Sequence, residues 1–329
     1  MRVLLTGATG FVGSAILRQL IRRGDTVRTL VRSTSDQRNL RDIDCEVYLG
    51  DINDLDSIKT AISDCQVLFH VAADYRLWAP NPDEITKTNV LGTQNIVNAA
   101  RTANIEKIIY TSSVATLGKN DNGMPANENT PSYIENMIGA YKRSKFIAEQ
   151  HVQRMISEQS LPAIIVNPSA PVGPRDLKPT PTGRLIVKAA KGEIPAFINT
   201  GLNIVHVDDV AIGHIKALDK GKIGERYILG GENLPLENIL RMVSEFYGNK
   251  APRIRVPPNI VLPIAYLIQA WAKITKSHEP FITVNGVKMS RQKMYYTSDK
   301  AESELGYKFR PAKEAIKDAL EWFGEQGYI

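Results

Sequence analysis

The stretch AYKRSK, residues 140–145, sets Tyr141 and Lys145 four positions apart. On a helix that spacing puts both side chains on one face. An ammonium beside a phenol stabilises the phenolate, which draws the tyrosine pKa toward the working pH and makes it a usable acid or base. A second polar pair, Ser112 and Ser113 in IIYTSSVATLG, closes an isoleucine-rich run. If that run is a strand of a doubly wound sheet, the pair lies at its C-terminal edge, where such sheets hold their ligands. A serine hydroxyl there can donate to a carbonyl oxygen while Tyr141 delivers the proton. These groups serve a hydride transfer, which needs a proton donor or acceptor beside the carbinol carbon.

The hydride needs a carrier, and MRVLLTGATGFVG, residues 1–13, offers a place for one. Gly7 follows a short apolar run with the β-branched Val3; Gly10 and Gly13 lead into SAILRQLIRRG, with apolar residues at helical spacing. Helix N-terminal amides lack internal partners and the helix dipole favours negative charge there, so a diphosphate is held at such a junction. Gly7 permits the tight turn, Gly10 lets backbone approach the diphosphate, and Gly13 allows the helix to pack closely on the strand. The intervening Thr9, Phe11 and Val12 belong to the same expected contact. The spacing, G-x-x-G-x-x-G, is one residue longer than the commonest dinucleotide fingerprint, so the flanking strand and helix carry the weight.

A site that prefers NAD usually offers the ribose 2′-hydroxyl a carboxylate at the end of the second strand. In TLVRSTSDQR that place is taken by Arg32, with Ser33, Thr34 and Arg38 nearby. Positive charge and donors suit a 2′-phosphate, so NADP is expected, with NAD possible. The alternative is a solvated Arg32 and a ribose held by Asp36.

The elements that must position these groups follow from hydrophobic periodicity. Short runs rich in Val and Ile at 2–6, 26–32, 45–49, 66–71, 106–112 and 162–167 predict strands buried on both faces. Residues 11–23, 55–63, 83–103 and 139–158 predict helices; in the third, Val90, Ile96, Val97 and Ala100 fall near one face. The alternation predicts an α/β fold, a Rossmann-type doubly wound parallel sheet. Past residue 170 the rhythm breaks at Pro171, Pro174, Pro179 and Pro181. The expected division is a nucleotide-binding domain of residues 1–169 plus 202–229 and a smaller C-terminal substrate-binding lobe of 170–201 plus 230–329.

The totals limit the partners. The chain has 329 residues, 43% hydrophobic and 23% charged, and a formal net charge of +6. Its charges are interspersed, with no basic block that would read as a nucleic-acid arm, and a phosphate-bearing small ligand accounts for the surplus. The two cysteines, Cys45 and Cys65, are too few for a disulfide framework, and no signal peptide opens the chain, so a cytoplasmic protein is expected. The longest apolar stretch, from Ile260 to Ile274, is broken by Pro263 and carries Gln269 and Lys273, short of a spanning segment. It reads as a packed helix or, alternatively, as a peripheral lipid contact. His206, Asp208 and Asp209 predict a turn rather than a metal site, because adjacent carboxylates on a short segment diverge. No metal is expected. His70 reads as a hydrogen-bonded core residue, and Arg175 and Lys178 as substrate contacts or surface charges. Tyr75, Arg76 and Trp78 follow the fourth strand, where they either meet the substrate or stiffen a loop.

TGATGFVG, YTSSVAT, YKRSK, NPSAPVGP and HVDDVA at 206–211, in that order, resemble the extended short-chain dehydrogenase/reductase family. The resemblance implies that Ser113, Tyr141 and Lys145 are the catalytic triad, with Ser112 the alternative serine. It further implies that Asp51 and Ile52 lie by the adenine, that Ala72 and Ala73 line the cofactor, that Pro168 and Ser169 flank the nicotinamide, and that Asn89 shapes the site. HVAADYRLWAPNPDEITKTNVLGTQN, NPSAPVGPRDLKPTPTG and ERYILGGENL are similar to the dihydroflavonol-reductase-like branch, most closely its bacterial members called hopanoid-associated sugar epimerases. A reductase of ketones is the activity this implies. A nucleotide-sugar epimerase and a non-catalytic NADP-binding protein are the alternatives; a dehydratase would want an Asp-Glu pair where Val114 and Ala115 stand. Relatives pair their long helices as homodimers, so 83–103 and 139–158 are candidate dimer faces.

Overall fold

A computed structural model describes residues 1–120, 123–275 and 280–329. The first apolar run is β1 (Arg2–Thr6), followed by α1 (Phe11–Arg22), β2 (Thr26–Val31), β3 (Glu46–Leu49), α2 (Leu55–Ile62) and β4 (Val67–His70). A long helix comes next, divided into α3 (Asp83–Thr86) and α4 (Gly92–Thr102) by a wide turn at Lys87–Leu91. Then come β5 (Lys107–Thr111), α5 (Gly139–Gln159) and β6 (Ala163–Pro168). The strands expected from periodicity are all present, within a residue or so at their ends. β2 stops at Val31, which leaves Arg32 just beyond its C-terminal end.

The remainder runs β7 (Ala170–Val172), α6 (Pro181–Ala190), β8 (Ala196–Phe197), β9 (Gly201–His206), α7 (Val207–Lys220), β10 (Arg226–Leu229) and β11 (Glu232–Pro235). It closes with α8 (Leu236–Tyr247), β12 (Ile254–Arg255), α9 (Pro258–Ile274), α10 (Val284–Met289) and α11 (Ala312–Glu325). The main sheet is parallel throughout, in the order β10-β6-β5-β4-β1-β2-β3. Its order reverses between β1 and β4, which opens a crevice at their C-terminal ends.

Alternating side chains divide the core. Val3, Leu5 and Phe69 pack with Leu17 of α1 and Val210 of α7, while Leu4, Leu68 and Ile108 pack with Val97 of α4 and Val152 of α5. Because both faces are covered, the strands are apolar at nearly every position. A third core gathers Ile186, Ile239, Leu240, Ile316 and Leu320 from α6, α8 and α11 above a small sheet in which β9 pairs β7 parallel and β11 antiparallel. No helix among the described residues is long and apolar enough to cross a membrane.

Candidate active site

A cavity of about 850 Å³ lies over the crevice. Its floor begins with the glycine loop. Gly7 has φ +78, and a Cβ there would stand 2.7 Å from the Ala72 nitrogen, so only glycine makes this turn. A Cβ on Gly13 would stand 2.0 Å from the Gly7 carbonyl oxygen, so α1 meets the loop backbone to backbone. Gly10 occupies the N-cap of α1 with no side-chain cap, and Gly10, Phe11, Val12 and Gly13 all line the cavity. Helix amides without a side-chain acceptor, at a site no Cβ fills, fit the diphosphate of a dinucleotide. Asn39 fixes the loop by donating to the carbonyls of Thr9 and Arg175, each at 3.1 Å.

Ser113, Tyr141 and Lys145 converge on the same cavity. Ser113 sits just past β5, and its Oγ accepts from the Ala115 amide at 3.1 Å. Behind it, Asn167 donates to the Ser113 carbonyl at 3.0 Å and to Glu149 at 2.9 Å. Thr116 donates to the same two acceptors, and Arg226 pairs with the buried Glu149 at 3.2 Å. This network holds the serine turn from below. Burial pushes the Tyr141 phenol up, while a hydrogen bond with the Ser113 hydroxyl pulls it partly back. Lys145 does not produce the lowering that the four-residue spacing predicts. Its Nζ, buried, donates to the Thr111 carbonyl at 2.8 Å and the Tyr110 hydroxyl at 3.3 Å, and burial draws its pKa down to about 8. A shared helical face brings the two side chains to one cavity; the lysine's reach carries its ammonium beneath the end of β5.

The other expected positions fall around these. Thr9, Arg32, Asp51, Ile52, Ala72, Ala73, Tyr75, Pro168, Ser169 and the alternative serine Ser112 all line the cavity; Trp78 is half-buried and does not. Leu77, one residue earlier, takes that place on the wall. Tyr75 donates to the Lys178 carbonyl at 2.9 Å, and Arg76 is clamped by Asp74 and Glu84. Beyond β2, Arg32 is exposed at the cavity edge, whereas Arg38 is spent on Asp36 through contacts of 2.7–3.1 Å, which hold that carboxyl down at about 2. Asn89, in the wide turn, accepts from the Asp74 amide at 2.7 Å and donates to Ser144 at 2.9 Å, fixing the loop after β4.

His70 is the core residue expected, bonded to Thr6 at 2.9 Å and Thr93 at 3.0 Å, and burial with the nearby Lys145 draws its pKa down to about 3. Asp208 and Asp209 do diverge, to Arg175 and to Arg310 respectively, and His206 caps α7. The apolar residues at 260–267 contribute nothing to this cavity; its C-terminal wall is Leu185, Leu202, Met289, Met294 and Tyr296. Two charged wall residues had no sequence signal. Lys142, beside Tyr141 in the motif, is buried, and burial with the neighbouring Lys119 draws it down to about 7. Asp176, hidden in the proline-rich run, is 2% exposed. Burial drives it up to about 7 against two hydrogen bonds from Thr180, while its Oδ1 has no partner among the described residues.

Comparison with known proteins places this arrangement. Residues 3–230 match the model of the NAD dependent epimerase/dehydratase family. A Synechocystis protein provisionally named a dihydroflavonol 4-reductase is 43% identical, over 99% of this chain and 95% of its own. Sterol demethylase protein B of Methylococcus capsulatus is 32% identical, and the match spans both chains in full. The crystal structure of gox2253 superposes with a TM-score of 0.90 at 51% identity, covering 100% of this chain and 99% of that one. The chain belongs to the NAD dependent epimerase/dehydratase family, whose members are NAD(P)-dependent oxidoreductases, epimerases or dehydratases.

Proposed function

We propose that this family member is a cytosolic, NADPH-dependent reductase of an apolar ketone. The observation that carries the reading is the convergence of Ser113, Tyr141 and Lys145 on the cavity headed by the uncapped α1. The amides of α1 hold the diphosphate, and Arg32, at the edge, meets the 2′-phosphate. Asp36 is engaged by Arg38, which removes the carboxylate that a ribose diol would need. Ile52, Asp51, Ala72 and Ala73 flank the adenine half, and Pro168 and Ser169 the nicotinamide half.

NADPH, when bound, supplies the hydride that forms the new C–H bond at the carbonyl carbon. The Ser113 hydroxyl donates to the carbonyl oxygen and fixes its position. Tyr141 gives that oxygen its proton as the C=O π bond opens; a phenol held up by burial stays protonated, as this direction requires. Lys145, held by Thr111 and Tyr110 beneath the end of β5, lines the same cavity and is placed to hold the cofactor rather than the phenol. The wall of Leu77, Leu202, Met289, Met294 and Tyr296 favours an apolar substrate over a nucleotide sugar.

Purified protein should oxidise NADPH when offered hydrophobic ketones. Conversion of a nucleotide sugar with tightly retained cofactor and no net NADPH change would replace this reading with an epimerase. Tyr141→Phe should lower turnover by roughly 10²–10⁴-fold while NADPH binding stays within about twofold. Full turnover in that variant would remove Tyr141 from the mechanism.

A further inference from the structure

The apolar segment expected to pack as a helix does so on one side only. Of the seventeen residues of α9, Ala265 and Ala272 are buried, Ala265 against Val284 and Val287 of α10. Ile260, Ile264, Leu267, Trp271 and Ile274 recur at alternating steps of four and three and are 48–76% exposed. That spacing makes one continuous stripe. Tyr266 and Leu267 also border a shallow depression of about 470 Å³. A contiguous apolar face of this kind marks a place of interaction.

Charge says with what. Residues 246–298 hold eight Lys and Arg against one carboxylate, Glu279, in a chain whose whole surplus is six. The excess cation of the protein thus falls in the chain segment that carries this helix. Lys250, Arg253, Lys273 and Lys288 are exposed, and among the described residues only Arg255 of this set has an ion-pair partner, Glu237. A twofold contact with a second copy would bring the same basic surface against itself, which like-charge repulsion opposes. A helix of this length spans about 25 Å along its axis, too short and too one-sided to cross a bilayer but suited to lie in its interface, with Trp271 at headgroup depth.

We propose that α9 and its basic surroundings dock on the surface of an anionic phospholipid bilayer. The stripe enters the headgroup layer and Lys250, Arg253, Lys273 and Lys288 meet the lipid phosphates. α10, packed on α9, gives Met289 to the wall of the cavity, so docking sets that wall beside the bilayer.

The test is flotation of the full chain with vesicles of phosphatidylcholine alone and of phosphatidylcholine with phosphatidylglycerol, without cofactor or substrate. At least about tenfold more protein should float with the anionic vesicles, high salt should reduce the fraction, and Trp271 fluorescence should shift to the blue. Leu267→Glu with Trp271→Glu should abolish flotation at unchanged melting temperature. Lys250→Glu with Arg253→Glu should weaken it severalfold. Equal or absent flotation of the unaltered chain with both vesicle types would overturn the proposal. So would a dimer in light scattering that the Leu267→Glu, Trp271→Glu pair dissociates, since the stripe would then be an interface between copies. Neither result depends on catalysis, so failure here leaves the ketone-reductase reading standing.

Discussion

Two walls face each other across one cavity and are built on opposite plans. The floor is backbone: Gly7, Gly10 and Gly13 at the head of α1, then strand ends from which Ser113 and the carbonyl of Thr111 emerge. The roof is side chain: Leu185, Leu202, Met289, Met294 and Tyr296, with Asp176 as a buried carboxyl among them. Backbone positions are fixed by the sheet and by close contacts that admit no added atom. Side-chain volume can change without moving the chain, and methionine in particular fills irregular space and repacks. A floor of the first kind suits a ligand that does not vary, the cofactor. A roof of the second kind suits the part that does, the substrate.

The sharpest way to break that contrast is to add one carbon to the floor. In Gly13→Ala the new Cβ meets the Gly7 carbonyl oxygen at 2.0 Å and its carbon at 2.6 Å, and neither is the end of a flexible side chain. Overpacking of this kind costs about 1–3 kcal/mol or more, beyond the ~1 kcal/mol that alanine returns in a helix. The melting temperature should fall by several degrees. Affinity for NADPH should fall more than about tenfold, because the displaced loop carries the amides proposed to hold the diphosphate. Calorimetric titration and a thermal melt read both; an unchanged pair of values would show that the floor is as forgiving as the roof.

The contrast also explains what could be read from the chain alone. Floor residues are close in sequence to the strand and helix they join, so TGATGFVG and AYKRSK declare themselves by spacing. Parallel strands buried on both faces make unbroken apolar runs, and for that reason β1 to β6 were legible almost to the residue. Roof residues come from four segments between 176 and 296, brought together only by tertiary packing, and nothing local marks Leu202, Met294 or Asp176. Trp78 shows the limit in miniature: in the stretch after β4, backbone direction decides that Leu77 rather than its neighbour faces the cavity. Lys145 shows another. Periodicity gave its face, but the acceptors that capture its ammonium, Thr111 and Tyr110, belong to a strand 34 residues away. The outward stripe of α9 has the same apolar composition as a packed helix, and only the absence, among the described residues, of a neighbour over that face distinguishes them.

At the rim the floor does use a side chain, and there the effect should be smaller. If Arg32 meets the 2′-phosphate as proposed, Arg32→Ala removes a charge-assisted contact worth about 1.5–3 kcal/mol. NADPH affinity should fall by roughly tenfold or somewhat more, with NADH affinity unchanged, since Asp36 stays tied to Arg38 and cannot take over the ribose. Equal losses for both coenzymes would assign Arg32 to the diphosphate or to structure. No loss for either would return the choice to NAD.

The smallest effect on coenzyme affinity belongs to the roof. Asp176 has its folded pKa raised from the ordinary 3.8 to about 7, chiefly by burial. A carboxyl raised in this way keeps its stabilising proton below the ordinary value and loses that contribution as pH climbs through about 7. Between pH 4 and 7 the folded state therefore binds more protons than the unfolded chain, and this group lowers stability as pH rises. Asp176→Asn keeps an acceptor for the Thr180 amide and hydroxyl and removes the titration. The variant should match the parent near pH 4 and melt a few degrees higher at pH 8, on the order of 1.4 kcal/mol for each unit of the shift that is realised. NADPH affinity should stay unchanged, because the floor is untouched. A variant that melts lower at pH 8 would mean that the Asp176 carboxylate, ionised, is held by a partner and stabilises the roof. A loss of NADPH affinity would mean that floor and roof are not separable at this residue.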